Sequence, residues 1–131
     1  MGNELTDKDK NTISIIGNHE LGEIISPLIR EIHLFDSYVA GTSHLKDKSV
    51  LEKIKVGDVL KLQREDSNTY DNMAILILND EKKKLGYVPQ KDNIVFARLM
   101  DAGKLLHAKI SKIEQKGNYT KVDVGIYLVD I

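Results

Sequence analysis

The sequence has no cysteine and no tryptophan, and only two prolines among its 131 residues. Without thiols there is no disulfide staple and no Cys-based zinc site, a composition that fits a reducing compartment. No apolar run approaches the roughly 18 residues of a spanning helix, so no membrane contact is expected. The start, Met1-Gly2-Asn3-Glu4, is polar and lacks the apolar stretch of a secretory signal, so a cytoplasmic location is the expectation. Phosphate-binding glycine loops, a Gly-x-Ser-x-Gly elbow and a His-x-x-x-His pair are also missing, and with them the common hydrolase and metalloenzyme signatures. The histidines (His19, His33, His44 and His107) are scattered, so neither a metal nor a cofactor is expected. A binding protein is expected, not an enzyme.

Neither sign of charge dominates. The formal net charge is −1, with residues 1–30 leaning acidic and the rest close to balance. Such a chain cannot coat duplex DNA through massed counterion release, so nucleic-acid binding would have to be local and built from a few shaped contacts. Five Tyr and two Phe are the entire aromatic supply, which gives any exposed Tyr unusual weight.

What is present reads as one soluble domain with a modest core, 41% hydrophobic and 30% charged. Residues 1–12 lack periodicity and predict a tail. Leu21, Ile24, Ile25 and Leu28 fall at helical spacing, interrupted by Gly22 and Pro27, and predict a short helical decoration. Residues 1–30 are therefore separated from a main domain over 31–131. That domain is mainly β. Strand-like runs occur over 28–41 and Val59–Arg64, where Leu60 and Leu62 alternate with Lys61 and Gln63. Others are Ala74–Leu78, apolar throughout, and Lys84–Val88. Gly57-Asp58 and Asn79-Asp80-Glu81 mark turns between them. A helix capped by Asp92 or Asn93 carries an apolar stripe of Val95, Phe96, Leu99 and Met100 and stops at Gly103. Two alternating arms, Leu106–Ile110 and Val122–Leu128, close on a turn at Gly117-Asn118. Five to six short strands with one inserted helix predict a small OB-like or SH3-like antiparallel barrel.

One stretch stands out, Leu62-Gln63-Arg64-Glu65-Asp66-Ser67-Asn68-Thr69-Tyr70-Asp71-Asn72-Met73-Ala74-Ile75. It resembles the HIRAN signature, an R-E/D-x-x-N-x-Y-D-x-N-A-I pattern between two barrel strands. Val39-Ala40-Gly41, Val56-Gly57-Asp58 and Leu85-Gly86-Tyr87-Val88-Pro89 flank it in the family's order, and the resemblance spans roughly residues 32–130. It implies a modified OB-like barrel that captures single-stranded DNA, with a preference for a free 3′ end. On that resemblance Tyr70 stacks on a base, Asp71 accepts from the terminal 3′-hydroxyl, Asn68 adds a polar contact and Tyr87 lines the same pocket. Ser43 and His44 stand where DNA-binding members carry a basic residue and an aromatic, and Gln90-Lys91 follows Pro89 where a basic residue is common. These departures imply weaker binding in the same mode.

Plainer readings exist for each residue. Asn68 and Asp71 are turn formers, and Tyr87 beside Gly86 can simply pack. Arg64 can pair with a carboxylate instead of a phosphate, and Lys82-Lys83-Lys84 suits a solvated hairpin tip. The function expected is capture of single-stranded DNA or a 3′ end in repair, replication or defence, beside a separate helicase or nuclease. The alternative is a protein-interaction or self-assembly module, a homo-oligomer through residues 13–30, that has lost DNA affinity.

Overall fold

The computed structural model describes residues 30–130. The expected tail, the helix before Leu28 and nearly all of the self-assembly arm lie outside the described residues. Two compact units divide the chain, and the described part of the first consists of the strand ends Arg30–Ile32 and Val129–Asp130. The second, His33–Leu128, holds the barrel and the site.

Among the described residues six strands form one mainly antiparallel sheet: β1 (Arg30–Tyr38), β2 (Val59–Arg64), β3 (Ile75–Leu78), β4 (Lys84–Tyr87), β5 (Leu105–Lys116) and β6 (Tyr119–Asp130). Their order is β1-β6-β5-β2-β3-β4. The sheet curls on itself. Ala40, just past β1, exchanges both backbone hydrogen bonds with Tyr87 on β4, at 2.8 and 2.9 Å. That bridge joins the two far ends of the strand order, the closure an OB-like barrel requires.

The expected alternation holds where one strand face meets the core. Leu60 and Leu62 are buried between exposed neighbours, as are Leu106, Ala108 and Ile110 between half-buried or exposed ones. β3 is buried nearly throughout, as its unbroken apolar run predicts. Val39, Leu85, Val122, Val124 and Ile126 complete the interior. Each large aliphatic side chain so placed contributes about 1.5–3 kcal/mol of hydrophobic transfer free energy. Gly117 (φ 62°) leads the two-residue turn between β5 and β6, the glycine-first pattern of a primed hairpin turn.

Among the described residues there is one α-helix, α1 (Gln90–Asp101), which packs Phe96 and Ala97 into the core. It starts earlier than the caps suggested. Pro89 takes the N-cap position, where its missing N–H costs nothing, and Asn93 lies inside the first turns. The arc toward the core runs through buried Asn93, Phe96 and Ala97 to half-buried Met100, at i, i+3, i+4 and i+7, so Val95 faces solvent at 58% exposure instead of joining the stripe. The helix ends as expected. Gly103 adopts φ 92°, its N–H reaches the Met100 carbonyl, and the Lys104 N–H reaches Leu99, a Schellman stop. Two short 3-10 segments, Thr42–His44 and Lys48–Glu52, were not expected; single turns leave too little periodicity to read. The second brings Val50 and Leu51 to the core.

Candidate nucleic-acid interface

The segment between β2 and β3 is an ordered loop held by its own side chains. Asn68 organises it from within. Its Oδ1 accepts from the backbone N–H of Tyr70 (2.8 Å) and of Asp71 (3.0 Å), an Asx-type turn. Its Nδ2 donates to Glu65 Oε1 at 2.8 Å. Asp71 makes the next turn, accepting on Oδ1 from Met73 N–H at 2.9 Å. Its second oxygen accepts from Asn93 Nδ2 at 2.8 Å, tying the loop to α1. Asn93 is 3% exposed, and this bond explains why an amide occupies the buried arc of a helix.

Arg64 clamps the loop base. Its Nη1 donates to the Ala74 carbonyl (2.8 Å) and its Nη2 to the Asn72 carbonyl (2.9 Å). Nε and Nη2 form a fork onto Asp101 at 2.9 and 3.2 Å. The guanidinium is thus engaged by the protein on both edges.

Glu65 is the hub that the motif contained but that had no assigned role. Besides Asn68, its Oε1 accepts from the Tyr87 hydroxyl at 2.7 Å. The Asn68 bond first, then the Tyr87 bond and the nearby Lys84 ammonium, hold the Glu65 carboxyl below the usual carboxylate range. The Tyr87 phenol is pushed up, by burial first and then by the Glu65 carboxylate it donates to. Lys84 Nζ lies 4.5 Å above the centre of the Tyr87 ring. Asn68, Asp71, Arg64 and Tyr87 therefore belong to one connected rim, joined through Glu65, Asn93 and the loop backbone.

Among the described residues no side-chain hydrogen bond or ring contact holds Tyr70. It is 95% exposed. An aromatic ring carried in water on an anchored backbone offers a flat face to whatever approaches.

The remaining expected contacts have other surroundings, and among the described residues none is hydrogen-bonded to Glu65. Ser43 lines a polar cavity of about 430 Å³ with Thr42, Lys48, Glu52, Gln115 and Thr120. His44 closes the adjacent 3-10 turn and is exposed. Lys91 faces another cavity, with its ammonium 3.4 Å from Asp92 and 5.6 Å from the Tyr38 ring centre. Among the described residues no hydrogen bond joins Ser43, His44 or Lys91 to the Glu65 cluster. No group of three or more His, Asp or Glu among the described residues is placed to hold a metal ion. Likewise, no helix there is long and apolar enough to cross a membrane.

Known proteins share this architecture. The family model for the HIRAN domain matches residues 32–129. A crystal structure of a protein from Lactobacillus plantarum is similar with a TM-score of 0.72 and 27% identity, covering 79% of this chain and 99% of that one. The crystal structure of the HIRAN domain of human HLTF has a TM-score of 0.61 and 16% identity, covering 76% of this chain and 79% of that one. At that identity the second likeness is one of fold. No curated protein matches the chain.

Proposed function

This chain belongs to the HIRAN family of DNA-binding domains, and from that premise we propose that it captures single-stranded DNA by a free 3′ end at the Asn68–Asp71 loop. One observation carries the proposal: a tyrosine ring 95% exposed stands directly before a carboxylate whose position is fixed from two sides. A base stacked on such a ring gains about 1–3 kcal/mol.

The carboxylate gives the contact its selectivity. A carboxylate only accepts hydrogen bonds, and about four acceptor sites are available on its two oxygens. Met73 N–H and Asn93 Nδ2 occupy two of them, which leaves room for a hydroxyl donor. A terminal 3′-hydroxyl satisfies that acceptor, whereas a terminal phosphate brings further negative charge against it. The same repulsion disfavours a strand that passes through without ending. In a cell the module would deliver strand ends to a separate helicase or nuclease during repair, replication or defence.

Fluorescence anisotropy with 5′-labelled single strands ending in a 3′-hydroxyl or a 3′-phosphate tests this. The hydroxyl end binds more tightly. Tyr70→Ala weakens both strands about tenfold, from the loss of one stacked base. Asp71→Asn narrows the difference between the ends, and the Asn93 amide can rotate to keep its bond to the new side chain. Equal affinity for the two ends in the wild-type protein, or no binding at low salt, would overturn end capture.

A further inference from the structure

The rim described above is acidic in its fixed charges. Glu65 and Asp71 are carboxylates, and the one guanidinium, Arg64, is forked onto Asp101. Lys91, a cation in the first turn of α1, pairs with Asp92 and lines a cavity with Tyr38 and Asp36. A polyanion approaching this rim needs a local cation that no carboxylate holds in a close ion pair.

Lys84 is placed to supply it. It is exposed, and among the described residues no carboxylate lies within ion-pair distance of it. Its position depends on an irregularity in β4. Lys84 and Tyr87 are three residues apart, an odd spacing that would put them on opposite faces of a regular strand. Instead Leu78 opposes Lys84 and Ile77 opposes Gly86, so Leu85 is an extra residue, a β-bulge. Leu85 and Gly86 are consecutively buried as a result, and Lys84 is turned to the Tyr87 face. Its ammonium then sits 4.5 Å over the ring whose hydroxyl binds Glu65.

We propose that Lys84, aimed by the Leu85 bulge, is the residue that contacts a backbone phosphate of the strand whose end the Asn68–Asp71 loop receives. The proposal rests on the DNA-binding reading above and adds to it where the phosphodiester chain runs: over the Tyr87 ring, along the β4 edge. The ammonium offsets Glu65 and leaves Asp71 as the uncompensated charge that senses the terminus. Lys83, by contrast, sits at the hairpin tip with Glu81 at 4.0 Å.

The test measures the affinity for a 5′-fluorescein oligothymidylate with a 3′-hydroxyl over a range of NaCl concentrations. Each phosphate contact on a single strand contributes about 0.7 to the slope of log affinity against log salt. Lys84→Met keeps an aliphatic cover on Tyr87 and removes the charge. It is expected to lower the slope by about 0.7 and keep the preference for hydroxyl over phosphate ends, while Lys84→Arg restores the slope. Lys83→Met leaves it unchanged. An unchanged slope in Lys84→Met, or an equal drop in Lys83→Met, overturns the assignment while leaving end capture standing. Absence of wild-type binding at every salt concentration removes both.

Discussion

Replacing Glu65 with alanine removes the acceptor on which two donors converge from different parts of the barrel. Asn68 Nδ2 and the Tyr87 hydroxyl both reach Oε1, at 2.8 and 2.7 Å. A hydrogen bond to an ionised group contributes about 1.5–3 kcal/mol when sheltered. Both bonds are part-buried and water reaches the carboxylate, which brings each toward or below the low end of that range. The expected cost of Glu65→Ala at neutral pH is therefore about 2 kcal/mol. In a domain near 100 residues this lowers the melting temperature by about 8–16 °C.

The effect has a pH signature. Because hydrogen bonds and Lys84 hold the Glu65 carboxyl below its ordinary range, the folded state favours its charged form. That stabilisation is fully present above the unfolded value of about 4.3 and is lost as pH falls through the lowered folded value. Thermal melts followed by circular dichroism at neutral pH and at about pH 3 should show the gap between wild type and Glu65→Ala shrinking with acid. Glu65→Gln retains an acceptor oxygen without the charge, so it should fall between the two at neutral pH and approach wild type in acid. Melting temperatures within about 2 °C at neutral pH, or a gap that stays constant into acid, would refute the hub role.

Two further expectations concern the frame around the site. A Cβ on Gly86 would lie 2.3 Å from the Ala40 carbonyl oxygen and 2.6 Å from Val39 Cγ1. Gly86→Ala must therefore open the bridge that closes the barrel, a loss of about 3 kcal/mol or more by chemical denaturation; a wild-type midpoint would count against closure there. Lys82, at the tip between β3 and β4, has φ 64°, a left-handed conformation that costs a side-chain-bearing residue about 1 kcal/mol. Lys82→Gly should raise stability by up to about that amount, less the entropy glycine adds to the unfolded chain, and a fall in stability would contradict the strain.

Much of the fold is local physics and so was legible in the chain. The two-residue alternation of Leu60 and Leu62, and of Leu106, Ala108 and Ile110, needs only a strand with one wet face. The hairpin at Gly117 and the helix stop at Gly103 follow from backbone conformations that glycine adopts at low cost. The helix start was misplaced because the bond that draws Asn93 inward comes from Asp71, 22 positions away. An amide on a buried arc looks like a surface residue until its partner is in place.

The HIRAN signature, the barrel class and the Asn68-Tyr70-Asp71 loop were determined by the sequence itself, because turn formers and periodic apolar residues act over a few positions. What only the tertiary structure decided is how that loop is held and charged. Closure of the sheet at Ala40 brings β4 against the segment just past β1, and the short β2–β3–β4 meander brings Tyr87 to Glu65. The Leu85 bulge turns Lys84 onto the Tyr87 face, where strand periodicity alone would have sent it to the other. Hydrogen bonds between distant positions and a single inserted residue leave no period in the chain, so they exist only once the barrel has formed.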